Sequence, residues 1–180
     1  MYGLWGKISK MRILLVQANK SEGIAPVFPL GLAYLAGSLS KMGHELRSFD
    51  SHLYRDHKGA LKRAMGEFCP DVVGISIRNL DNQQFSAPVS FLPEVRQVVK
   101  TCQESSGATI IVGGSGFSIA PEPLLDYLGV NLGIVGEGET ALADVVQTLQ
   151  EERDASNIPG VVMRRQGKTN MTKPRRRKDL

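Results

Sequence analysis

The sequence predicts a doubly wound α/β domain on a mostly parallel, five-stranded sheet. Three observations predict it. Short apolar runs recur along the chain, among them R-I-L-L-V-Q-A, D-V-V-G-I-S-I and A-T-I-I-V; runs of this kind mark strands buried on both faces. Segments with helical periodicity alternate with them. Three of the runs end in small or polar residues, in V-G-I-S-I-R-N-L-D-N-Q, I-I-V-G-G-S-G and I-V-G-E-G-E. A parallel sheet delivers such residues to one edge, where a ligand can sit.

The elements follow in order. Arg12 to Ala18 reads as the opening buried strand, and Asn19 to Phe28 as a polar loop. Pro29 opens a helix, since proline suits a first helical turn, and Leu32, Leu35, Leu39 and Met42 repeat at helical spacing. Gly43 stands where a helix C-terminal glycine belongs. Glu45 to Phe49 forms a short second strand ending at Asp50. His57 to Phe68 is a helix, with Pro70 closing the turn after it. Asp71 to Ile77 is the third strand. Gln84 to Pro93 leads to a helix over Glu94 to Gln103. Ala108 to Val112 is the fourth strand, Pro121 to Tyr127 a short helix and Leu132 to Val135 the fifth strand. Glu139 to Gln150 is a helix with Leu142, Val145, Val146 and Leu149 inward, and Val161 to Arg164 adds a sixth strand at the edge. Right-handed crossovers put every strand-to-helix loop on the same edge.

Composition narrows the class. The chain has 180 residues, 42% hydrophobic and 22% charged, as expected of one globular domain with a sizeable core. No apolar run approaches the ~20 residues of a membrane span. Residues 1–10 are too weakly apolar for a signal peptide and read as a flexible leader. The net charge of +4 belongs to the end of the chain: without Lys173, Arg175, Arg176, Arg177 and Lys178 the body carries −1. No basic or aromatic stripe in the body supports nucleic-acid binding, so the tail reads as a solvated linker or a docking segment. Cys69 and Cys102 match no metal spacing; they read as two buried thiols in a reducing cytosol.

Three loops carry the candidate chemistry. Gly113-Gly114-Ser115-Gly116 exposes backbone N–H groups and lets a bulky ligand approach; a plain tight turn accounts for it equally. The run is not a phosphate loop, as no lysine follows at the required spacing. Gly136-Glu137-Gly138-Glu139 opens a helix, where Glu139 suits the positive end of the helix dipole. Glu137 is placed to accept hydrogen bonds from a ligand, with a simple capping turn as the alternative. Arg78, Asn79, Asp81 and Asn82 crowd one loop after the third strand, a dense polar set, although Asn and Asp also favour turns. His44, His52 and His57 are too scattered for a zinc site and read as solvated, with His44 favoured by the preceding helix C-terminus.

P-L-G-L-A-Y-L-A-G-S-L-S-K-M-G-H-E-L, P-D-V-V-G-I-S, I-I-V-G-G and V-G-E-G-E, in this order over residues 11–165, together resemble the N-terminal cobalamin-binding domain of cobalamin-dependent radical SAM proteins. The resemblance implies a flavodoxin-like fold of strand order 2-1-3-4-5, with the corrin across the C-terminal edge of the strands and its nucleotide tail between strands and helices. It places Ser76 near the tail, and Gly113 and Gly114, with Ser115 and Gly116, where that tail passes. Gly136, Glu137, Gly138 and Glu139 border the corrin or its tail. Pro29, Leu30 and the preceding loop, with Gln17 and Asn19, line the corrin's edge.

The departures from related cobalamin proteins are informative. Mutases and methionine synthases carry D-x-H-x-x-G after the first strand, whose histidine ligates cobalt from below; here the loop reads Q-A-N-K-S-E-G. Asp50-Ser51-His52 begins a similar pattern, but after the second strand and with Arg55 where glycine is needed. The mutases' S-x-L is here Ser76-Ile77-Arg78. The expectation is cobalamin bound base-off, without a histidine ligand, and with Arg78 or a neighbour, Asn79, Asp81 or Asn82, blocking the lower face.

A radical SAM cluster needs three thiolates in C-x-x-x-C-x-x-C, and this chain has two cysteines 33 residues apart. The resemblance therefore implies that S-adenosylmethionine and a [4Fe-4S] cluster are held by a C-terminal radical SAM domain of a parent protein, with residues 166–180 a basic tail leading toward it. By itself such a module binds and does not turn over. The alternative from another class is a small stand-alone α/β enzyme or nucleotide-binding protein with Glu137 or Asp81 catalytic. A third is a relic of the fold that binds nothing.

Overall fold

The structure, a computed structural model, describes residues 10–20 and 28–175. Most of the leader, residues 21–27 of the first loop and the last five residues of the basic tail lie outside it. Seven strands form one sheet: β1 (Arg12–Gln17), β2 (Glu45–Asp50), β3 (Val72–Ser76), β4 (Thr109–Gly113), β5 (Leu132–Ile134), β6 (Val161–Arg165) and β7 (Lys168–Met171). Their order is β2-β1-β3-β4-β5-β6-β7. The first five are parallel, in the expected 2-1-3-4-5 order, and β6 and β7 are antiparallel.

Six helices cover the two faces. α1 (Leu30–Ser40) and α6 (Gly138–Gln150) lie on one, α2 (His57–Phe68), α3 (Leu92–Ser105) and α5 (Pro121–Leu128) on the other; α4 (Ser115–Ile119) is a short turn of helix after β4. β1 shows why the strands read as continuous apolar runs. Its Ile13 and Leu15 pack with Leu39, Val145 and Val146, while Leu14 and Val16 pack with Leu61, Met65 and Val98. Alternate side chains serve two cores, and both exclude water.

Local chemistry sets the ends of the helices. Asp56 caps α2, its carboxylate accepting the Gly59 N–H at 2.9 Å, as N-cap acids do. Gly129 (φ 67°) is the left-handed C-cap of α5, and Gly43 (φ 82°) closes the turn after α1; glycine enters this region without a Cβ penalty.

Several expectations are corrected. β6 is an inner strand rather than an edge, because β7 pairs outside it; β7 lies in the stretch read as tail, where K-T-N-M has little apolar signal. Ser115-Gly116 opens a helix, which removes the tight-turn alternative for that run. Cys102 is buried but Cys69 is exposed, being the left-handed C-cap (φ 46°) of α2. His44 and His57 are buried rather than solvated. Burial lowers the pKa of both, and Glu94 beside His57 opposes the shift there.

The pairing is uneven. β1 shares six registered pairs with β2 and five with β3, and β3 shares five with β4. β4 and β5 share one, Val112 with Gly133.

Candidate functional site

The register aligns the ends of four strands. Gln17 pairs with Asp50 on one side and Ser76 on the other, and Ser76 pairs with Gly113. Asp50, Gln17, Ser76 and Gly113 thus form the last rung of the sheet's C-terminal edge. Beyond that rung the chain leaves the sheet, into loops after Gln17 and Ser76 and into short helical turns after Asp50 and Gly113.

Two of these loops interlock. Asn19 is 5% exposed; its carboxamide oxygen accepts the Arg78 N–H at 2.6 Å and the Asn79 N–H at 3.4 Å, and its amide nitrogen donates to the Asn79 carbonyl at 2.7 Å. From the other side, the Ser115 hydroxyl donates to the Arg78 carbonyl at 2.8 Å, and the Gly116 N–H to the Ile77 carbonyl at 2.9 Å. This approach needs glycine. A Cβ on Gly114, whose φ is 101°, would stand 2.6 Å from the Ile77 oxygen, and one on Gly116 would stand 3.1 Å from the Arg78 oxygen. The backbone of Arg78 is therefore held from both sides, by the loop after β1 and by the start of α4. Its side chain is exposed and makes no hydrogen bond or ion pair with another described residue.

Ser118 joins the two glycine loops. Its hydroxyl donates to the Gly114 carbonyl and accepts the Gly136 N–H, both at 3.0 Å. Gly136 (φ 80°) also faces Pro174, which a Cβ would meet at 3.3 Å.

Below these loops a cavity of about 230 Å³ runs down between the sheet and the α1/α6 layer. Of the residues expected at a ligand, Ser76, Gly113, Gly114, Ser115, Gly136, Glu137, Gly138 and Glu139 line it. Gln17, Asn19, Pro29, Leu30, Arg78, Asn79, Asp81, Asn82 and Gly116 do not. Asp81 and Asn82 are used by their own loop. The Asp81 carboxylate accepts the Gln83 N–H, and the Asn82 side chain accepts from Gln84 and Val89 while donating to Ala87. Glu137 is the N-cap residue of α6 and Glu139 lies in its first turn. Pro29 and Leu30 start α1 at the same edge, with Leu30 exposed.

Sequence reasoning missed the deeper lining: Gly31, Leu32 and Leu35 of α1, Gly74 of β3, Ile111 of β4 and Leu142 of α6. One signal was present. A glycine inside V-V-G-I-S breaks a strand that otherwise favours branched residues, and such a glycine marks a close approach. A Cβ there would stand 3.0 Å from Leu15 Cδ2 and 3.9 Å from Leu142 Cδ2. Among the described residues no group of acidic, histidine or cysteine side chains is arranged to hold a metal ion.

The model of the B12 binding domain family matches residues 22–146, more than half of the chain. The chain belongs to the B12-binding domain family. Its relatives in the family are larger proteins. The tryptophan 2-C-methyltransferase of Streptomyces laurentii is 28% identical over 169 residues, covering 92% of this chain and 28% of the relative. The hopanoid C-3 methylase of Methylococcus capsulatus is 33% identical over 137 residues, covering 74% and 24%. The radical S-adenosylmethionine methyltransferase TsrM from Kitasatospora setae, solved with cobalamin and a [4Fe-4S] cluster bound, superposes with a TM-score of 0.83 at 30% identity, covering 92% of this chain and 29% of that one. OxsB, solved with aqua-cobalamin and S-adenosylmethionine, shares the fold at a TM-score of 0.76 and 18% identity, covering 94% of this chain and 23% of that one. This B12-binding domain thus spans under a third of the length of these relatives and is homologous to the cobalamin-binding portion of radical SAM methyltransferases. No helix among its described residues is long and apolar enough to cross a membrane.

Proposed function

We propose that this chain is the cobalamin-binding module of a cobalamin-dependent radical SAM methyltransferase, and that it holds the cofactor base-off with no histidine beneath the cobalt. The observation that carries the reading is the glycine-walled cavity below the Ser76–Gly113 rung of a B12-binding domain. It is deep, largely apolar and open at the sheet's ligand edge, which suits the displaced nucleotide tail of a corrinoid. Gly74, Gly113 and Gly138 make the room: a Cβ on Gly113 would stand 3.2 Å from the Ile134 carbonyl oxygen, and one on Gly138 3.2 Å from Leu35.

Bound cobalamin supplies a cobalt centre able to accept and give up a methyl group. The residues of this chain bind and orient. Ser76, Ser115 and the Gly113–Gly114 backbone border the tail's entrance; Glu137 and Glu139 border the other side. Gln17, Asn19, Pro29 and Leu30 lie toward the corrin's edge, and Gly116 seats α4 on the Arg78 loop. Arg78, with its backbone clamped and its guanidinium free, is assigned to the lower face of cobalt, where a fixed positive charge discourages an axial ligand. Asn79, Asp81 and Asn82 shape that loop. S-adenosylmethionine and the [4Fe-4S] cluster belong to a radical SAM domain of the parent protein, since Cys69 and Cys102 cannot supply three thiolates. A reducing cytoplasm is the compartment that suits such a cluster.

The test is incubation with hydroxocobalamin, gel filtration and a visible spectrum, followed by EPR of the cob(II)alamin form. A retained base-off spectrum without nitrogen splitting from a lower ligand is expected. Nitrogen splitting from a lower ligand overturns the axial assignment, and nucleotide binding with no retained corrin favours the stand-alone alternative.

A further inference from the structure

The cavity changes character with depth. Ser76 and Gly113 share the rung at its mouth, and Gly74 and Ile111 share the rung two residues lower, roughly 6–7 Å deeper at ~3.3 Å per residue. All the polar side chains of the lining stand at the mouth: Ser76, Ser115, Glu137 and Glu139. The lower walls are Leu35, Gly74, Ile111 and Leu142, whose side chains hold no donor or acceptor. On the β3 side the backbone is paired to both neighbours, Gly74 opposite Leu15 and Ile111.

We propose that this floor makes the site selective among corrinoids by their lower base, taking an apolar bicyclic base such as the dimethylbenzimidazole of cobalamin and rejecting a purine. The inference rests on the cobalamin-binding reading above. A purine reaching the floor gives up water at its amino group and ring nitrogens and finds no partner, and an unpaired buried polar group is costly. The two methyl groups of dimethylbenzimidazole gain by the same move, since they leave water for Leu35 and Leu142. Adenine is the weaker base toward cobalt and is easier to displace. A preference for cobalamin over the adenine analogue therefore comes from the pocket rather than from the displacement step.

The experiment measures dissociation constants of the chain for three probes: cobalamin, the adeninyl cobamide and cobinamide, which lacks a base. The expected order is cobalamin tightest, the adeninyl cobamide at least tenfold weaker, and cobinamide weaker than cobalamin. The variant Leu35→Asn, at a half-buried wall position, places an amide in the lower wall and is expected to narrow the gap between the two bases. Equal affinity for cobalamin and the adeninyl cobamide in the unaltered chain overturns the selectivity while leaving the cobalamin reading intact. A gap unchanged in Leu35→Asn overturns the assignment of selectivity to this wall. Failure to hold any of the three overturns the cobalamin reading and the selectivity with it.

Discussion

The carboxamide of Asn19, two residues beyond the end of β1, accepts the backbone N–H of Arg78 at 2.6 Å across 59 positions of sequence. With its contacts to Asn79 it ties the first and third strand-to-helix loops into one unit. Asn19→Ala leaves two N–H groups and a carbonyl without their partner, and is expected to cost about 1–3 kcal/mol in a urea titration. Asn19→Asp keeps the acceptor but sets a carboxylate oxygen against the Asn79 carbonyl and buries a charge, so it should not recover the loss. In the cobalamin-loaded protein Asn19→Ala should shift the cobalt spectrum in the direction that Arg78→Ala does.

Arg78→Ala removes an exposed side chain with no partner among the described residues. Stability should change by no more than about 0.5 kcal/mol. The cob(II)alamin EPR spectrum should change clearly. A variant that unfolds while leaving the spectrum alone would reverse the roles assigned here.

Two glycines should respond to alanine in opposite directions. Gly114→Ala meets the Ile77 carbonyl at 2.6 Å from a φ of 101° and should cost more than about 1 kcal/mol. Gly37→Ala, inside α1 with nothing within 4 Å of its new Cβ, should stabilise by roughly 0.5–1 kcal/mol. Thermal melts of the two variants beside the parent chain check both signs.

The thiols should differ sharply. Burial pushes Cys102 up to about 12, whereas Cys69 is exposed. A thiol reagent should titrate one cysteine in the native chain and two after denaturation, and Cys69→Ser should abolish the native reaction.

His44 and His57 give a pH dependence with a definite sign. Burial holds their folded pKa values below the usual 6.5. Above 6.5 both states are neutral and the contribution is fully present. As pH falls through 6.5 the unfolded chain takes up protons first, so stability declines until the folded histidines also titrate. Urea midpoints measured from pH 7.5 to 5 should fall, and His44→Gln should flatten the slope.

Much of this fold is written locally. β1, β3 and β4 declare themselves because strands buried on two faces need unbroken apolar runs, and α2 because Pro70 closes the turn after Phe68. β7 does not, since an outer strand with exposed Lys168, Asn170 and Met171 has no apolar pattern to show. α4 is hidden for a different reason: five residues are too few for a period. The loops that bear the candidate site were legible from Gly113, Gly136 and their neighbours. The depth of the cavity was not, because Leu35, Gly74 and Leu142 become one surface only when α1 and α6 close over the sheet. Asn19 looked like one polar loop residue among several, and its bracing role depends on a loop some sixty residues away.

The single registered pair between β4 and β5 gives the sheet a seam. The cavity straddles it, with Ile111 and Gly113 on one bank and Ile134 and Gly136 on the other. A group that fills the cavity therefore grips both halves of the molecule and supplies across the seam the cohesion that backbone pairing does not. In this geometry the cofactor is mortar as well as cargo: the empty chain should breathe along β5 in hydrogen exchange, and the loaded one should stiffen there and melt higher.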